Sequence, residues 1–229
     1  MKKAAVYSGS KNIYEDMITS AKSLVVNSDV DVIYMLAEDD SVGNVPEYIK
    51  TINVSDQKFF KQNGPNMKSG YTYLAMMRAA LCHVLEEDIV LSLDADTIAV
   101  EDISDVWNLD IKDNYFAASH EWHRTKSHGF LYTNTGVSLY NLKKLREGKA
   151  DEVIDVLNRR YYRWVEQDVF NYLCQGYIYD MPGEYNANDW TEWKERKLIH
   201  YAGLNDWRHY KEPVMFRNLS WDDVERNRG

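Results

Sequence analysis

Two carboxylates one residue apart, Asp94 and Asp96, directly follow the apolar run 89–93. In an extended chain, residues two apart point to the same face, so both carboxylates could contact one divalent cation. Mg²⁺ and Mn²⁺ take such oxygen ligands and complete their shells with water and substrate phosphate. Asp29 and Asp31 have the same spacing but precede their apolar run, which is typical of a solvated turn. The position after an apolar run favours Asp94 and Asp96 as a metal site, although so short a pattern also occurs without one.

The elements that must position these carboxylates begin with a βαβ pattern. We predict a strand at 4–7, an amphipathic helix at 14–27 and a second strand at 30–36. A helical stripe of apolar residues follows at 73–85, and the near-continuous run 89–93 is typical of a strand covered on both faces. This order predicts an α/β fold with a mainly parallel central sheet flanked by helices. In such sheets, ligands bind at the carboxyl ends of the strands.

The second half of the chain has a more mixed pattern. We predict a strand at 136–141, helices at 151–157 and 164–174, and a short strand at 177–179. From Ile199 onward the sequence is rich in aromatic and charged residues, and its pattern favours neither a helix nor a strand.

The composition excludes several classes of protein. The 229 residues include 27 Lys and Arg against 36 Asp and Glu, a net charge of −9, which argues against a nucleic-acid-binding protein. No apolar run approaches the roughly 20 residues of a transmembrane segment, and the amino terminus has too few apolar residues for a signal peptide. Cys82 and Cys174 stand among apolar neighbours, which predicts buried free thiols and a cytoplasmic protein.

Aromatic residues are mostly those that carry a polar atom, with 17 Tyr and 7 Trp against 6 Phe. Such rings suit clefts that bind sugars or bases, but they serve equally well as core residues. Composition alone therefore favours neither use.

The segment LSLDADTIAVEDISDVWNLD at 91–110 resembles the retaining glycosyltransferases of family 8, the group of glycogenin and the bacterial galactosyltransferases. Four further segments are similar to motifs of that family and occur in its order, so the resemblance covers about residues 4–207. These segments are TYLAMMR at 72–78, YTNTGVSLYNL at 132–142, EQDVFN at 166–171 and HYAG at 200–203. Each segment is short, and their common order makes the resemblance specific.

This resemblance implies a single glycosyltransferase domain at 1–229 with the nucleotide-diphospho-sugar transferase (GT-A-like) fold. A nucleotide-binding half would lie at about 4–110, an acceptor-side half at about 111–210 and a tail at 211–229. The implied reaction moves a hexose, with retention, from UDP-glucose or UDP-galactose to an unknown glycan, lipid-linked or protein acceptor. The implied cofactor is Mn²⁺ or Mg²⁺, since a metal on the leaving diphosphate supplies Lewis-acid stabilisation.

The resemblance also assigns roles to individual residues. His200 would join Asp94 and Asp96 on the metal, and Arg78 would reach the sugar nucleotide. The strand end at 6–8 would face the uracil, with Tyr14 either as a stacking ring or as a helix-surface aromatic. The donor-binding residues implied in this way are Val6, Tyr7, Ser8, Tyr14, Arg78, Asp94, Ala95, Asn134, Thr135, Gly136 and Gly203.

Gln167 is the residue that the family would place near the reacting face of the transferred sugar. An amide is a poor nucleophile, so we favour a same-face substitution through an oxocarbenium-like state over a covalent intermediate. Glu166 and Asp168 would then hold sugar hydroxyls. Because successive helical residues point in different directions, the three side chains cannot line the site equally.

Two departures from the family pattern bear on function. Glu166 stands where the family has Asp, and Asp206 stands where it has the Lys that contacts the leaving diphosphate. Either Arg208 or Lys211 replaces that Lys, or phosphate binding is weaker, which keeps open a non-catalytic nucleotide-sugar-binding protein. A sugar nucleotidyltransferase of similar fold is a further alternative, but SGSKN after the first strand is a poor match to the Gly-rich basic loop expected of one.

Overall fold

Nine strands are present in the computed structural model, which describes residues 2–67 and 71–228. They are β1 (Ala4–Gly9), β2 (Val32–Ala37), β3 (Ile49–Asn53), β4 (Ile89–Leu93), β5 (Thr97–Ala99), β6 (Phe116–His120), β7 (Thr133–Asn141), β8 (Ile178–Asp180) and β9 (Leu198–His200). Seven of them form one sheet in the order β3-β2-β1-β4-β7-β6-β8, and β5 pairs with β9 in a separate antiparallel ribbon. Strands from both predicted halves therefore join the same sheet.

The main sheet has one reversed strand. β3, β2, β1 and β4 are parallel neighbours, β7 is antiparallel to β4 and to β6, and β8 is parallel to β6. The predicted α/β fold with a mainly parallel sheet is therefore confirmed. Because β7 is reversed, its amino-terminal end lies beside the carboxyl end of β4.

Helices lie between and after these strands. They are α1 (Tyr14–Val26), α2 (Tyr73–Met76), α3 (Leu81–Val84), α4 (Trp122–His128), α5 (Leu142–Lys144), α6 (Ala150–Arg159), α7 (Val165–Leu173), α8 (Lys211–Asn218) and α9 (Trp221–Arg226). Short 3₁₀ helices occur at Lys11–Ile13, Met77–Ala80, Ser104–Asn108, Gly183–Asn186 and Trp207–His209, and a π-type turn at Leu145–Lys149.

Apolar residues on the two faces of the sheet form two separate cores. Within β1, Val6 packs into one core and Tyr7 into the other, as the alternation of side chains along a strand requires. The first core is closed by residues of α2, α3, α6 and α7, and the second by α1 and by Val224 of α9. The sheet is therefore covered on both faces, which fixes its strand ends as the place where a site can open.

The predicted elements occur with shifted bounds. The helices expected at 14–27, 151–157 and 164–174 correspond to α1, α6 and α7. The apolar stripe at 73–85 forms α2, a 3₁₀ turn and α3 in succession rather than one α-helix. Sequence patterns missed β3, which is mostly exposed, β6, and the three-residue strands β5 and β9, which pair with each other.

Asp29 and Asp31 lie in the turn before β2, at the opposite edge of the sheet from Asp94. The Lys3 side chain forms an ion pair with Asp29, and the Lys3 backbone N–H donates to the Asp31 carboxylate. Lys3 precedes β1, whereas the carboxyl end of β1 pairs with Leu93. The prediction that Asp29 and Asp31 lie outside the site, at the opposite ends of the strands, is confirmed.

Cys82 and Cys174 are free and buried, as predicted. Burial raises the pKa of the Cys82 thiol to about 11 and that of Cys174 to about 12, so both remain protonated at neutral pH. Among the described residues, no helix has both the length and the apolar character needed to cross a membrane.

A buried carboxylate on α1 holds the chain that follows β9. Asp16 accepts from Arg208 Nε at 2.9 and 3.0 Å, and it also pairs with Arg217 of α8 at 3.5 Å. Its side chain is 5 % exposed, whereas that of Arg208 is 41 % exposed. This contact fixes the carboxyl-terminal segment against α1.

We expect Asp16→Asn to lower the free energy of unfolding by about 2 kcal/mol, because hydrogen bonds to charged groups contribute about 1.5–3 kcal/mol. Urea denaturation measures the change. Asp155→Asn is the matched control, since Asp155 forms an exposed pair with Arg159 at 2.8 Å and should cost less than about 0.5 kcal/mol. Equal losses in the two variants would contradict a structural role for Asp16.

Candidate active site

A cavity of about 620 Å³ opens at the sheet edge where β4 ends and β7 begins. Asp94 follows β4, and its backbone N–H donates to the carbonyl of Gly136 on β7 at 2.7 Å. The reversed direction of β7 thus brings residues 134–136 to the carboxyl ends of the parallel strands, where ligands bind in folds of this type.

Asp94, Asp96 and His200 form a cluster whose ligand atoms all lie within 4.8 Å of one another. The β5–β9 ribbon brings His200 to the two carboxylates, since Thr97 pairs with His200 in its register. His200 Nε2 lies 3.5 Å from an Asp94 oxygen and 3.4 Å from an Asp96 oxygen. Two carboxylates and an imidazole suit Mn²⁺, so these residues could hold a divalent cation.

Asn186 orients the imidazole of His200. Its Oδ1 lies 2.9 Å from His200 Nδ1, and its Nδ2 donates to the Asn134 carbonyl at 3.2 Å. Because the amide nitrogen is used on Asn134, the amide oxygen accepts the Nδ1 proton. In the neutral imidazole the proton is therefore on Nδ1, and the lone pair of Nε2 faces the two carboxylates, which is the tautomer that a metal ligand needs.

Gly136 leaves the space that this cluster occupies. A Cβ at this position would lie 2.1 Å from His200 Cε1 and 2.7 Å from an Asp94 oxygen. Any larger residue would displace one of the two side chains, so glycine is required here for packing rather than for backbone conformation.

Arg78 is a buried cation between two acidic residues. It donates from NH1 to Glu166 at 2.8 Å and from Nε to Ser92 at 3.2 Å, and NH2 forms a short ion pair with Asp94. Desolvation alone would raise the pKa of Asp94, but Arg78 and His200 hold it well below its usual range. Asp94 is therefore ionised, as a metal ligand must be.

Two further pKa values follow from the same environment. Burial alone would lower the pKa of His200, but the carboxylates of Asp96 and Asp94 outweigh it and raise the value to about 9. Burial raises the pKa of Glu166 to about 7, against the opposing effect of Arg78. Burial and neighbouring charged side chains, rather than contact with solvent, thus set the protonation states of His200 and Glu166.

The amino-terminal turn of α7 lies against the cavity. Asn171 fixes α7 to the start of β7, because its Oδ1 accepts from Thr133 N at 2.6 Å and its Nδ2 donates to the Thr133 carbonyl at 2.8 Å. Val165 has φ = 38° in the left-handed region, which a β-branched residue rarely adopts. Such strain is tolerated where packing dictates the backbone, as it does next to this site.

The three candidate residues of α7 point in different directions, as expected for consecutive helical positions. Glu166 pairs with Arg78, and Gln167 lines the cavity. Asp168 is buried away from the cavity lining, where it accepts from the Tyr132 hydroxyl at 2.5 Å and from Trp164 N at 3.0 Å.

The cavity brings together many of the residues expected at the site and leaves others outside. Those that line it are Arg78, Asp94, Asp96, Asn134, Thr135, Gly136, Glu166, Gln167, His200 and Gly203. Those outside its lining are Val6, Tyr7, Ser8, Tyr14, Ala95, Asp168, Arg208 and Lys211.

The strand-end residues near the predicted uracil site are largely buried. Val6 and Tyr7 lie in the two cores, so a ligand could meet only their backbone atoms. The Tyr14 ring is also buried, and its hydroxyl accepts from the backbone N–H groups of Glu38 and Asp39 at 3.0 and 3.2 Å. In this conformation Tyr14 holds the loop after β2.

Asp206 is exposed and begins the 3₁₀ turn Trp207–His209. Lys211 is exposed at the start of α8. Arg208 is turned toward α1 by Asp16, whose hydrogen bond and charge raise the pKa of the guanidinium, and the charge of Asp96 adds a smaller effect in the same direction. Of the two cations that could replace the absent Lys, Arg208 is the less exposed, and its charge is close enough to that of Asp96 to be affected by it.

Sequence patterns missed several residues that line the cavity. Chief among them is Glu121, a buried carboxylate directly after β6, paired with Arg124 at 2.7 Å. The short apolar run 116–118 would have indicated a strand here, and with it a polar residue at the strand end. The other lining residues missed include Tyr71, His123, Arg124, Trp164, Val165 and Trp190.

Solved structures share this architecture. The galactosyltransferase LgtC, solved with donor and acceptor sugar analogues, is 18% identical, with 98% of this chain and 99% of that chain covered and a TM-score of 0.71. The glycosyltransferase GlyE of Streptococcus pneumoniae is 21% identical, with 99% of this chain and 62% of that chain covered and a TM-score of 0.72. The fold is that of the GT-A glycosyltransferases.

Residues 6–209 match the sequence model of glycosyl transferase family 8. The chain therefore belongs to glycosyl transferase family 8. GlyE is also similar in sequence, 27% identical over 197 residues that make up 81% of this chain and 48% of GlyE. A probable glycosyl transferase of Streptococcus gordonii is 21% identical over 70% of this chain and 26% of its own length. The chain thus spans a quarter to a half of these curated relatives.

We expect Gly136→Ala to weaken Mn²⁺ binding by about 10- to 100-fold, because the new methyl group displaces His200 or Asp94 without removing a ligand. Calorimetric titration of Mn²⁺ measures this. Gly176→Ala is the control for a general loss of stability, since its φ of 80° strains an alanine but the added Cβ meets nothing within 4 Å and lies outside the cavity lining. Unchanged Mn²⁺ affinity in Gly136→Ala would show that the cluster does not bind the ion.

Proposed function

We propose that this protein is a metal-dependent retaining glycosyltransferase that moves a hexose from a UDP-sugar to an unknown glycan, lipid-linked or protein acceptor. The observation that supports this most directly is that the Asp94, Asp96 and His200 cluster shares one cavity with Gln167. Family membership adds the reaction class. UDP-glucose and UDP-galactose are the proposed donors, and the cytoplasm is the proposed location.

The residues of the cluster fit a divalent cation in number, chemistry and spacing. Asp94 is ionised, Asn186 fixes the imidazole tautomer, and Gly136 keeps the space open. Mn²⁺ is favoured over Mg²⁺ because of the nitrogen ligand. When bound, the cation supplies Lewis-acid stabilisation of the leaving diphosphate.

The Gln167 amide supports a same-face substitution. Its oxygen accepts from Thr135 N at 3.0 Å and from Thr135 Oγ1 at 3.3 Å, so its lone pairs are already engaged. In the proposed reaction, the bond between the anomeric carbon and the phosphate oxygen breaks, and the acceptor oxygen bonds to that carbon on the same face. The acceptor proton passes to the leaving phosphate, which leaves no task for a protein nucleophile.

Release of UDP from UDP-glucose or UDP-galactose, with and without Mn²⁺, tests this function. We expect slow Mn²⁺-dependent hydrolysis in the wild type and a loss of about 100-fold or more in Asp96→Asn, because a metal ligand is removed. Asp29→Asn is the matched control, since Asp29 belongs to the other Asp pair at the opposite sheet edge. Near-ultraviolet circular dichroism checks that both variants remain folded.

The same assay separates the alternatives. A sugar nucleotidyltransferase would instead release pyrophosphate from UTP and a sugar phosphate. A non-catalytic binding protein would bind UDP-sugar with Mn²⁺, detected by thermal shift, without releasing UDP. Either result, or hydrolysis with unchanged metal dependence in Asp96→Asn, would contradict the proposal.

A second experiment concerns the residue that contacts the diphosphate. We expect Arg208→Gln to weaken UDP binding by about 10-fold, because a charge-assisted hydrogen bond is lost. Asp206→Lys and Lys211→Ala should change it by less than about twofold, since both side chains are more exposed than Arg208 and their charges are screened by solvent. Calorimetric titration of UDP in the presence of Mn²⁺ measures all three. Tighter binding in Asp206→Lys, with Arg208→Gln unchanged, would place Asp206 at the diphosphate instead.

A further inference from the structure

Glu121 is a buried carboxylate in the cavity that is not part of the metal cluster. It is 4% exposed, and it accepts hydrogen bonds from three side chains of the site. Oε1 accepts from Asn134 Nδ2 at 2.9 Å and from Gln167 Nε2 at 3.3 Å, and Oε2 pairs with Arg124 Nε at 2.7 Å. Donors therefore face both oxygens, an arrangement that only a carboxylate satisfies.

The orientation of the Gln167 amide follows from its partners. The backbone N–H of Thr135 can only donate, so it requires the amide oxygen on its side. The carboxylate oxygens of Glu121 accept from Gln167, Asn134 and Arg124, so they require the amide nitrogen on their side. The Tyr132 hydroxyl donates to Asp168 and accepts from Gln167 Nε2 at 3.3 Å, which reinforces the same choice.

We propose that Glu121 is a positioning residue that fixes the side-chain amide of Gln167 for the transfer reaction. The expected effect on the reaction rate rests on the proposed function. The orientation of Gln167 by Glu121 does not rest on that function. Glu121 acts through Gln167, with Thr135 as the opposite anchor of the amide.

The position of Glu121 is itself fixed from two sides. Its backbone N–H donates to the Tyr132 carbonyl at 2.8 Å, directly after β6. Its partner Arg124 lies over the Trp164 ring at 4.7 Å and over the Tyr132 ring at 5.1 Å, and donates to the Tyr132 hydroxyl at 3.1 Å. A guanidinium held in this way leaves the carboxylate little freedom to turn from Gln167.

Glu121→Gln keeps the volume of the side chain but supplies one acceptor oxygen where two are needed. If that oxygen faces Arg124, the new NH₂ group meets the NH₂ groups of Gln167 and Asn134. If it faces Gln167, the NH₂ group meets Arg124. Glu121→Asp retains two acceptor oxygens and should therefore hold the Gln167 amide better than Glu121→Gln does.

The first test follows the Gln167 side chain directly by NMR of protein labelled with ¹⁵N-glutamine, with Gln167→Ala used for assignment. We expect the Gln167 amide protons to exchange with water about 10-fold faster in Glu121→Gln than in the wild type, because one stabilising hydrogen bond is lost. Glu121→Asp should lie between them. Asp180→Asn is the control, since Asp180 pairs with His120 beside β6 and outside the cavity lining. An unchanged Gln167 signal in Glu121→Gln would overturn the proposal.

The second test is a double-mutant cycle on UDP release from the UDP-sugar. We expect Glu121→Gln to lower kcat by about 10- to 100-fold with little change in donor KM, because the amide is misplaced in the reacting complex. In a Gln167→Ala background the same substitution should change kcat by less than about threefold, since its effect passes through Gln167. Independent, multiplicative effects would overturn the proposal. If the wild type releases no UDP, the proposed function is wrong, and the NMR experiment still decides the role of Glu121.

Discussion

The ion pairs of Arg78 are the interaction on which the rest of the site depends. A buried guanidinium is costly unless its charge is compensated, and here Asp94 from the end of β4 and Glu166 from α7 compensate it together. The same contacts keep Asp94 ionised and join α7 to the sheet. Loss of Arg78 would therefore remove the cation that Asp94 and Glu166 share beside the metal cluster. Arg78 thus both holds α7 against the sheet and sets the charge state of Asp94.

Two antiparallel pairings bring the remaining groups to that centre. The reversal of β7 places Asn134, Thr135 and Gly136 beside the carboxyl end of β4. The ribbon of β5 and β9 places His200 beside Asp96. Both departures from a parallel sheet thus occur at the site. They let segments far apart in sequence supply side chains to one sheet edge.

In the second half of the sequence, polar side chains form a continuous network around Gln167. Glu121, Arg124 and Tyr132 each contact at least one other member, and Asp168 joins it through Tyr132. Buried networks in which every group has a partner restrict side chains to one arrangement. This explains how a residue as flexible as glutamine can have a defined orientation in an open cavity. Asp168, which lies outside the cavity lining, holds the Tyr132 hydroxyl of this network in place.

The sequence by itself determined the alternation of strands and helices, the mainly parallel sheet and the strand end that carries Asp94 and Asp96, because these follow from the periodicity of apolar residues. Only the tertiary structure decided that Val6, Tyr7 and Tyr14 are buried, that Asp168 points away from the cavity and that Glu121 lies against Gln167. Local patterns specify which face of an element is apolar, but not which elements meet. The contact of Glu121 with Gln167 joins residues 46 positions apart and depends on how strands and helices pack together. No local sequence pattern encodes that packing.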